Sequence, residues 1–150
     1  MIMPEPGELP FDITLKVRDA CVCLHVQRAA RALARRYDEA LRPVGLTNGQ
    51  FSLMMSLNRP EPPRIGEVAD LLAMDRTTLT ANLKPLERRR LVTVSVDQSD
   101  RRSRRLSLTD DGRALLVQAM PIWDRTQAEI EALVTGSDPD TLRADLRALS

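Results

Sequence analysis

A mainly α-helical chain with one small β-hairpin is what this sequence predicts, and three observations predict it. Apolar residues make up 43% of the 150, yet only 3% are aromatic, with Trp123, Tyr37, Phe11 and Phe51 the whole set. An aliphatic core suits packed helices better than a β-sandwich. Apolar positions recur at i, i+3, i+4 and i+7 over segment after segment, the spacing that lines one face of a helix. Strict alternation occurs in Leu91-Val92-Thr93-Val94-Ser95-Val96 and again in Arg105-Leu106-Ser107-Leu108, with a polar, charged tip at 97–104 between them. That is a hairpin with a basic tip.

The elements follow in order. Residues 1–12 read as a loose arm. From about residue 14 to residue 41, Val22, Val26, Ala29, Ala30, Leu33, Tyr37, Ala40 and Leu41 keep helical spacing, predicting one long helix that Pro43 and Gly45 end. Thr47 with Gln50 three residues on is a capping-box pattern for a second helix bearing Phe51, Leu53, Met54 and Leu57. Arg59-Pro60-Glu61-Pro62-Pro63 breaks it. A short third helix, about 65–72, turns Ile65, Val68, Ala69, Leu71 and Leu72 to a core. Asp75 is a good N-cap for a fourth helix, about 76–89, with Leu79, Leu83 and Leu86 on one side and Thr77, Thr80, Ala81 and Lys84 on the other. After the hairpin, Thr109 caps a fifth helix with Asp110 and Asp111 in its first turn, where the helix dipole favours acids. It carries Leu115, Leu116, Ala119, Ile122, Trp123, Ile130 and Leu133, with a kink expected at Pro121. Ser137 and Pro139 open a last helix bearing Leu142, Leu146 and Leu149. No internal repeat is visible.

Composition narrows the function. No run approaches the ~20 apolar residues that span a membrane, and the first residues lack the basic start and apolar stretch of a secretory signal, so a cytoplasmic protein is expected. Cys21 and Cys23 stand one residue apart, too close to staple a fold, which fits a reducing setting. There is no Gly-rich phosphate loop, no nucleophile elbow and no cysteine–histidine pair with an orienting carboxylate, so no enzyme is expected and no cofactor. His25 is the sole histidine and cannot assemble a metal set with two adjacent cysteines.

Charge is informative through its distribution. The net value is only +1, but residues 76–105 hold nine basic side chains against three acids, a local +6, between a stretch of −1 and one of −4. A basic middle between acidic ends points to a polyanion held at one place on the surface. The same segment contains the predicted fourth helix and hairpin. A short helix, a tight turn and a second helix make a helix-turn-helix, whose second helix is sized for a DNA major groove. The basic hairpin after it is placed to meet the neighbouring backbone or minor groove, where arginine suits the negative potential. The fold class expected is therefore mainly α with a small β-hairpin wing, a winged helix-turn-helix.

Specific motifs extend this. Gly45-Leu46-Thr47-xx-Gln50-Phe51, Ile65-Gly66-Glu67-Val68-Ala69, Asp75-Arg76-Thr77-Thr78-Leu79-Thr80 with Leu83-Lys84-Pro85-Leu86-Glu87, Asp97-xx-Asp100-Arg101-Arg102, and Leu106-Ser107-Leu108-Thr109-xx-Gly112 occur in that order. From about Cys21 to the end the chain resembles the MarR family of winged-helix transcriptional regulators. The resemblance implies one domain over 1–150, with dimerisation helices at about 14–45 and 109–150 around a DNA-binding lobe at about 46–108. It implies a homodimer on a near-palindromic double-stranded DNA operator, acting as a repressor. Carried over, the fourth helix reads bases through Arg76, Thr77, Thr80, Ala81, Asn82 and Lys84. Arg101, Arg102 and Arg104 make the wing contacts, with Asp100 holding an arginine in place. Two departures are noted. Arg90 stands where the family usually has a helix-ending Gly, implying a strained or differently capped turn. Ala81 stands where relatives often carry a base-reading Arg. Pro85 removes a hydrogen bond inside the reading helix but occurs in similar relatives, so it reads as a tolerated kink.

The resemblance also implies release from DNA by a small aromatic or phenolic ligand in a cleft beside the lobe, where His25, Arg28 and Phe51 are placed by position. Cys23 lies 24 residues before Thr47, the spacing of the reactive cysteine in the family's organic-hydroperoxide-sensing branch, and Tyr37 matches one supporting tyrosine. Gln27 and Asn48 stand where that branch has its other tyrosines, so small buried hydrophobes are the favoured reading of the two cysteines. Peroxide sensing through Cys23, or a protein-interaction module that has lost DNA binding, are the alternatives to a ligand-released repressor.

Overall fold

The structure is a computed structural model that describes residues 7–150. Its elements are α1 (Phe11–Ala20), α2 (Val22–Leu41), a 3-10 turn (Arg42–Val44), α3 (Asn48–Ser56), α4 (Ile65–Leu71), α5 (Arg76–Arg88), β1 (Val92–Val96), β2 (Arg104–Leu108), α6 (Asp110–Glu131) and α7 (Pro139–Ala148). The expected class, mainly helical with one antiparallel hairpin, is what these elements form. No helix among the described residues is long and apolar enough to cross a membrane. Two compact units are present, Met1–Ala34 and Arg35–Ser150.

In the first unit the expected arm is a helix from Phe11, while the part of it at residues 1–6 lies outside the described residues. The single long helix expected over 14–41 is also two. Cys21 leaves helical geometry at φ −72°, ψ 107° and separates α1 from α2. It closes α1 with its N–H on Val17 O at 2.9 Å, and its Sγ accepts the Leu24 N–H at 3.5 Å in the manner of an N-cap. Neither Gly nor Pro marks this break, and the apolar period runs through it, so a pattern reading joins the two helices. No residue of α1 is buried, and Leu9, Phe11, Val17, Val22, Val26 and Leu33 all lie exposed.

The second unit owns the core. Leu41, Leu46, Phe51, Leu53, Met54, Leu57, Val68, Leu79, Leu83, Leu86, Leu106 and Leu116 belong to one hydrophobic cluster, mostly aliphatic. Removing a leucine side chain of this kind from water contributes roughly 1.5–3 kcal/mol. The capping box at α3 is complete, with Gln50 N–H on Thr47 Oγ1 at 3.2 Å and Thr47 N–H on Gln50 Oε1 at 3.1 Å. Trp123 on α6 stacks on Phe51 of α3 at a centroid distance of 6.4 Å, and α6 continues through Pro121 as one helix. Two expectations are corrected. Leu71 is 62% exposed, because the inward side of α4 is centred on Ile65, Val68, Ala69 and Leu72 and Leu71 falls to its flank. The cap of α7 is Asp138, which accepts Thr141 N–H at 2.9 Å, so Ser137 lies one residue outside.

Three chain reversals around the core close with the same pair of hydrogen bonds. Leu46 N–H reaches Leu41 O, Met74 N–H reaches Ala69 O and Leu91 N–H reaches Leu86 O; the preceding residues bond to Arg42, Asp70 and Glu87. This is the Schellman ending, which places the residue after the cap in the left-handed region. That residue is Gly45 (φ +68°), Ala73 (φ +50°) and Arg90 (φ +57°) respectively. The strained alternative expected at Arg90 is therefore realised, with a side chain where glycine is at ease.

The hairpin pairs Val92 with Leu108, Val94 with Leu106 and Val96 with Arg104. Its outer edge is extended by the loop before α4, through an Arg64–Arg105 bridge and Leu106 N–H on Pro63 O at 3.0 Å. Behind it, Gly112 in the first turn of α6 sits so close to β1's approach that a Cβ would lie 2.2 Å from Leu91 O.

Candidate nucleic-acid interface

Helix α5 is positioned by its buried side. Leu79, Leu83 and Leu86 are at most 2% exposed and fall at i, i+4 and i+7, so the opposite face is committed to solvent. Asp75 opens the helix by accepting Thr78 N–H and Thr78 Oγ1, each at 2.8 Å, and these bonds hold its carboxyl below the ordinary range, the backbone donor most. On the outward face lie Thr77, Thr80, Ala81 and Lys84, all exposed, with Arg88 one turn beyond. Arg76 sits at the edge, its guanidinium over Gly66, where a Cβ would come within 2.9 Å of Nη2. Thr80 Oγ1 donates back to Arg76 O at 2.8 Å. Asn82 is exposed but off this face, its amide directed to Met74 Sδ at 3.6 Å.

The wing supplies the second set of cations. Arg101, Arg102 and Arg104 are exposed, and among the described residues none is paired with a carboxylate. Arg104 Nη1 donates to the carbonyls of Arg101 and Ser103, at 3.1 and 3.3 Å. Asp100, expected to hold an arginine in place, accepts the Arg102 backbone N–H at 3.1 Å and so shapes the tip. Arginine side chains are held by Asp97, 3% exposed, which accepts Arg64 Nε at 2.8 Å and has Arg105 Nε at 3.4 Å. Ser99 donates to it through backbone N–H and hydroxyl, and Arg64 Nη2 donates on to Ser99 Oγ. The Ser99 backbone donor foremost, with its hydroxyl and Arg105, overcomes burial and holds Asp97 at a pKa of about 2. Arg105 also donates to Pro62 O at 2.6 Å, so its charge is spent inside the protein.

The MarR family model matches residues 46–103, the stretch from the capping box of α3 to the wing tip. The transcriptional regulator MosR of Mycobacterium tuberculosis, solved in complex with DNA, is 42% identical with a TM-score of 0.79, covering 86% of this chain and 92% of that one. The chain belongs to the MarR family of transcriptional regulators. The repressor CouR, solved on a 23-mer DNA duplex, is 28% identical with a TM-score of 0.78, covering 95% of this chain and 99% of that one. The organic hydroperoxide resistance regulator of Bacillus subtilis is 29% identical over 101 residues, 67% of this chain and 69% of its own length.

Against that family frame, the residues set aside for ligand or redox chemistry separate. Phe51 lines an apolar cavity of about 450 Å³ with Ser52, Met55, Ser56, Leu71, Leu72, Met120 and Trp123. His25 and Arg28 are exposed on α2, in the first unit. Cys23 is exposed and its Sγ accepts Gln27 Nε2 at 3.4 Å. Tyr37 gives its hydroxyl to Gln127 Oε1, and burial, with the charge of Glu131, raises its pKa. Glu131 in turn takes Gln127 Nε2 at 3.1 Å and Arg143 Nη1 at 2.8 Å, which ties α6 to α7. Asn48 is tied to Asp38, which accepts its backbone N–H at 2.7 Å and its amide at 2.8 Å.

Sequence reasoning missed Arg64, Arg88 and the clamp role of Asp97. Arg88 had a signal, the i+4 spacing from Lys84 and i+8 from Thr80. Arg64 had none, because its partner lies 33 residues away.

Proposed function

We propose that this MarR-family chain is a homodimeric repressor that reads a near-palindromic DNA operator with α5 and leaves it when a small apolar ligand fills the Phe51 cavity. The observation that carries the reading is the joint outward display of Thr77, Thr80, Ala81, Lys84 and Arg88 on one helix and Arg101, Arg102 and Arg104 on the wing beside it. A helix of this size fits a major groove, and unpaired arginines on a hairpin suit phosphates and the minor groove. The assigned bases of contact are Arg76, Thr77, Thr80, Ala81 and Lys84, with Asn82 at the border and Asp100 shaping the wing tip. That MosR and CouR were solved on DNA supports the same role here.

Dimerisation is supported by uncovered apolar faces on α1, on α2 and on α7 (Leu142, Leu146 and Leu149), in the segments 14–45 and 109–150 assigned to it. Ligand release is supported by the cavity, whose volume lies in the range of small-molecule sites and whose lining is aromatic and aliphatic. A cytoplasmic location follows from the role.

The test is fluorescence anisotropy of the protein with DNA from its own upstream region, against a non-specific duplex and across a salt series. The reading requires tight, salt-steep binding that prefers the upstream DNA; weak binding without preference at every salt concentration overturns it. Arg102→Ala should weaken binding to all sequences alike and flatten the log–log salt slope by about one per wing, the release of one phosphate's counterion.

A further inference from the structure

We infer that the middle of α5 reads thymine methyl groups, so that each operator half-site presents thymines to Thr80 and Ala81. The inference rests on the DNA-reading role proposed above and adds the chemistry that is read.

The N-terminal half of a recognition helix meets base edges, while wing cations meet phosphates. On α5 the middle of that reading face, Thr80 and Ala81, offers no free donor. Thr80 has its hydroxyl proton committed to Arg76 O at 2.8 Å, which leaves its methyl as the part of the side chain not bound to the helix. Ala81, exposed beside it, offers only a methyl. Asn82, whose amide could grip adenine in two places, is turned to Met74 Sδ. Arg76, whose guanidinium could grip guanine, is drawn over Gly66 at the edge of the face. Lys84 and Arg88 stand one and two turns further on. The chemistry offered at the centre is therefore apolar, and the apolar group displayed on base edges in the major groove is the C5-methyl of thymine.

The test begins by selecting duplexes from a random pool with the full-length protein. Each thymine of the selected duplex is then replaced singly by deoxyuridine, which pairs identically but lacks the methyl. The expected result is a rise in Kd of about three- to five-fold at one or two positions per half-site, the effect of withdrawing one methyl from an apolar contact. Thr80→Val, which keeps the methyl and drops the hydroxyl, should keep that pattern. Thr80→Ser, which keeps the hydroxyl and drops the methyl, should abolish the penalty at its own position. A flat deoxyuridine scan on a selected duplex, or penalties that persist unchanged in both Thr80→Ser and Ala81→Gly, would overturn the inference while leaving DNA reading intact. Failure to enrich any duplex would remove the DNA-reading role, and the inference with it.

Discussion

Helices α5 and α7 carry leucines at the same spacing and meet opposite fates. Leu79, Leu83 and Leu86 are 0–2% exposed, whereas Leu142, Leu146 and Leu149, also at i, i+4 and i+7, are 38–65% exposed. Both helices open on an aspartate cap that accepts a threonine N–H three residues on, at 2.8 Å for Asp75 and 2.9 Å for Asp138. Local structure is therefore solved the same way twice. What differs is cover: α5 has α4 and the hairpin against its leucines, and α7 is tied to α6 by the Arg143–Glu131 ion pair while its leucines stay open. An amphipathic pattern names the face to be buried and leaves open whether this chain or another copy does the burying.

The largest expected effect breaks the covered side of the comparison. Leu86→Ala should lower unfolding free energy by about 3 kcal/mol, read from urea midpoints, because a fully enclosed leucine leaves a cavity. A change below about 1 kcal/mol would mean that the lobe core collapses more freely than its packing implies. The open side is tested by Leu146→Glu. Sedimentation equilibrium should find the wild type at the mass of two chains and the variant at one, with an unfolding midpoint that no longer rises with protein concentration. A wild type at one chain's mass would sink the dimer.

Two smaller effects sharpen the contrast within the lobe. Asp97→Asn should lower the melting temperature at neutral pH by removing the charge that Arg64 and Arg105 share. Its folded pKa of about 2 lies below the ordinary aspartate value, so the wild type gains stability from ionised Asp97 above roughly pH 4. That gain is lost as pH falls through about 2, and the difference between wild type and Asp97→Asn should shrink over the same window. A difference that stays constant from pH 5 to pH 2 would show that the carboxylate charge is not what holds the wing base. Arg90→Gly, the smallest, should stabilise by about 0.5–1 kcal/mol, since glycine relieves a left-handed φ and the side chain lost is exposed. Calorimetry should place the melting point about 2–4 °C higher per kcal/mol; a lower melting point would mean the arginine side chain makes up for its backbone.

Much of the site was legible because it is local. The caps at Thr47, Asp75 and Thr109, the leucine stripe of α5 and the alternation of the hairpin each involve residues within one turn or one strand. The turn at Arg90 was marked by the resemblance, which sets a helix-ending glycine there and so implied a strained or differently capped turn. Three things were not legible. The break at Cys21 has no breaker residue. The exposure of Leu71 depends on which side of α4 the neighbouring elements cover. The wing clamp brings Asp97 to Arg64 across 33 residues, a pairing that no local pattern marks.

The sequence by itself determined which faces are apolar, where most helices start and stop, and that cationic charge gathers in one segment, because these follow from periodicity, hydrogen-bonding caps and composition. The tertiary structure alone decided which of those charges are available. Arg105 and Arg64 are held by Asp97, and Arg89 is held by Gly45 O at 2.7 Å, while Arg101 and Arg102 meet no acid among the described residues. The reason is that an arginine in the chain is only a cation, and whether it meets a buried carboxylate, a carbonyl or solvent is settled by elements folded from distant segments.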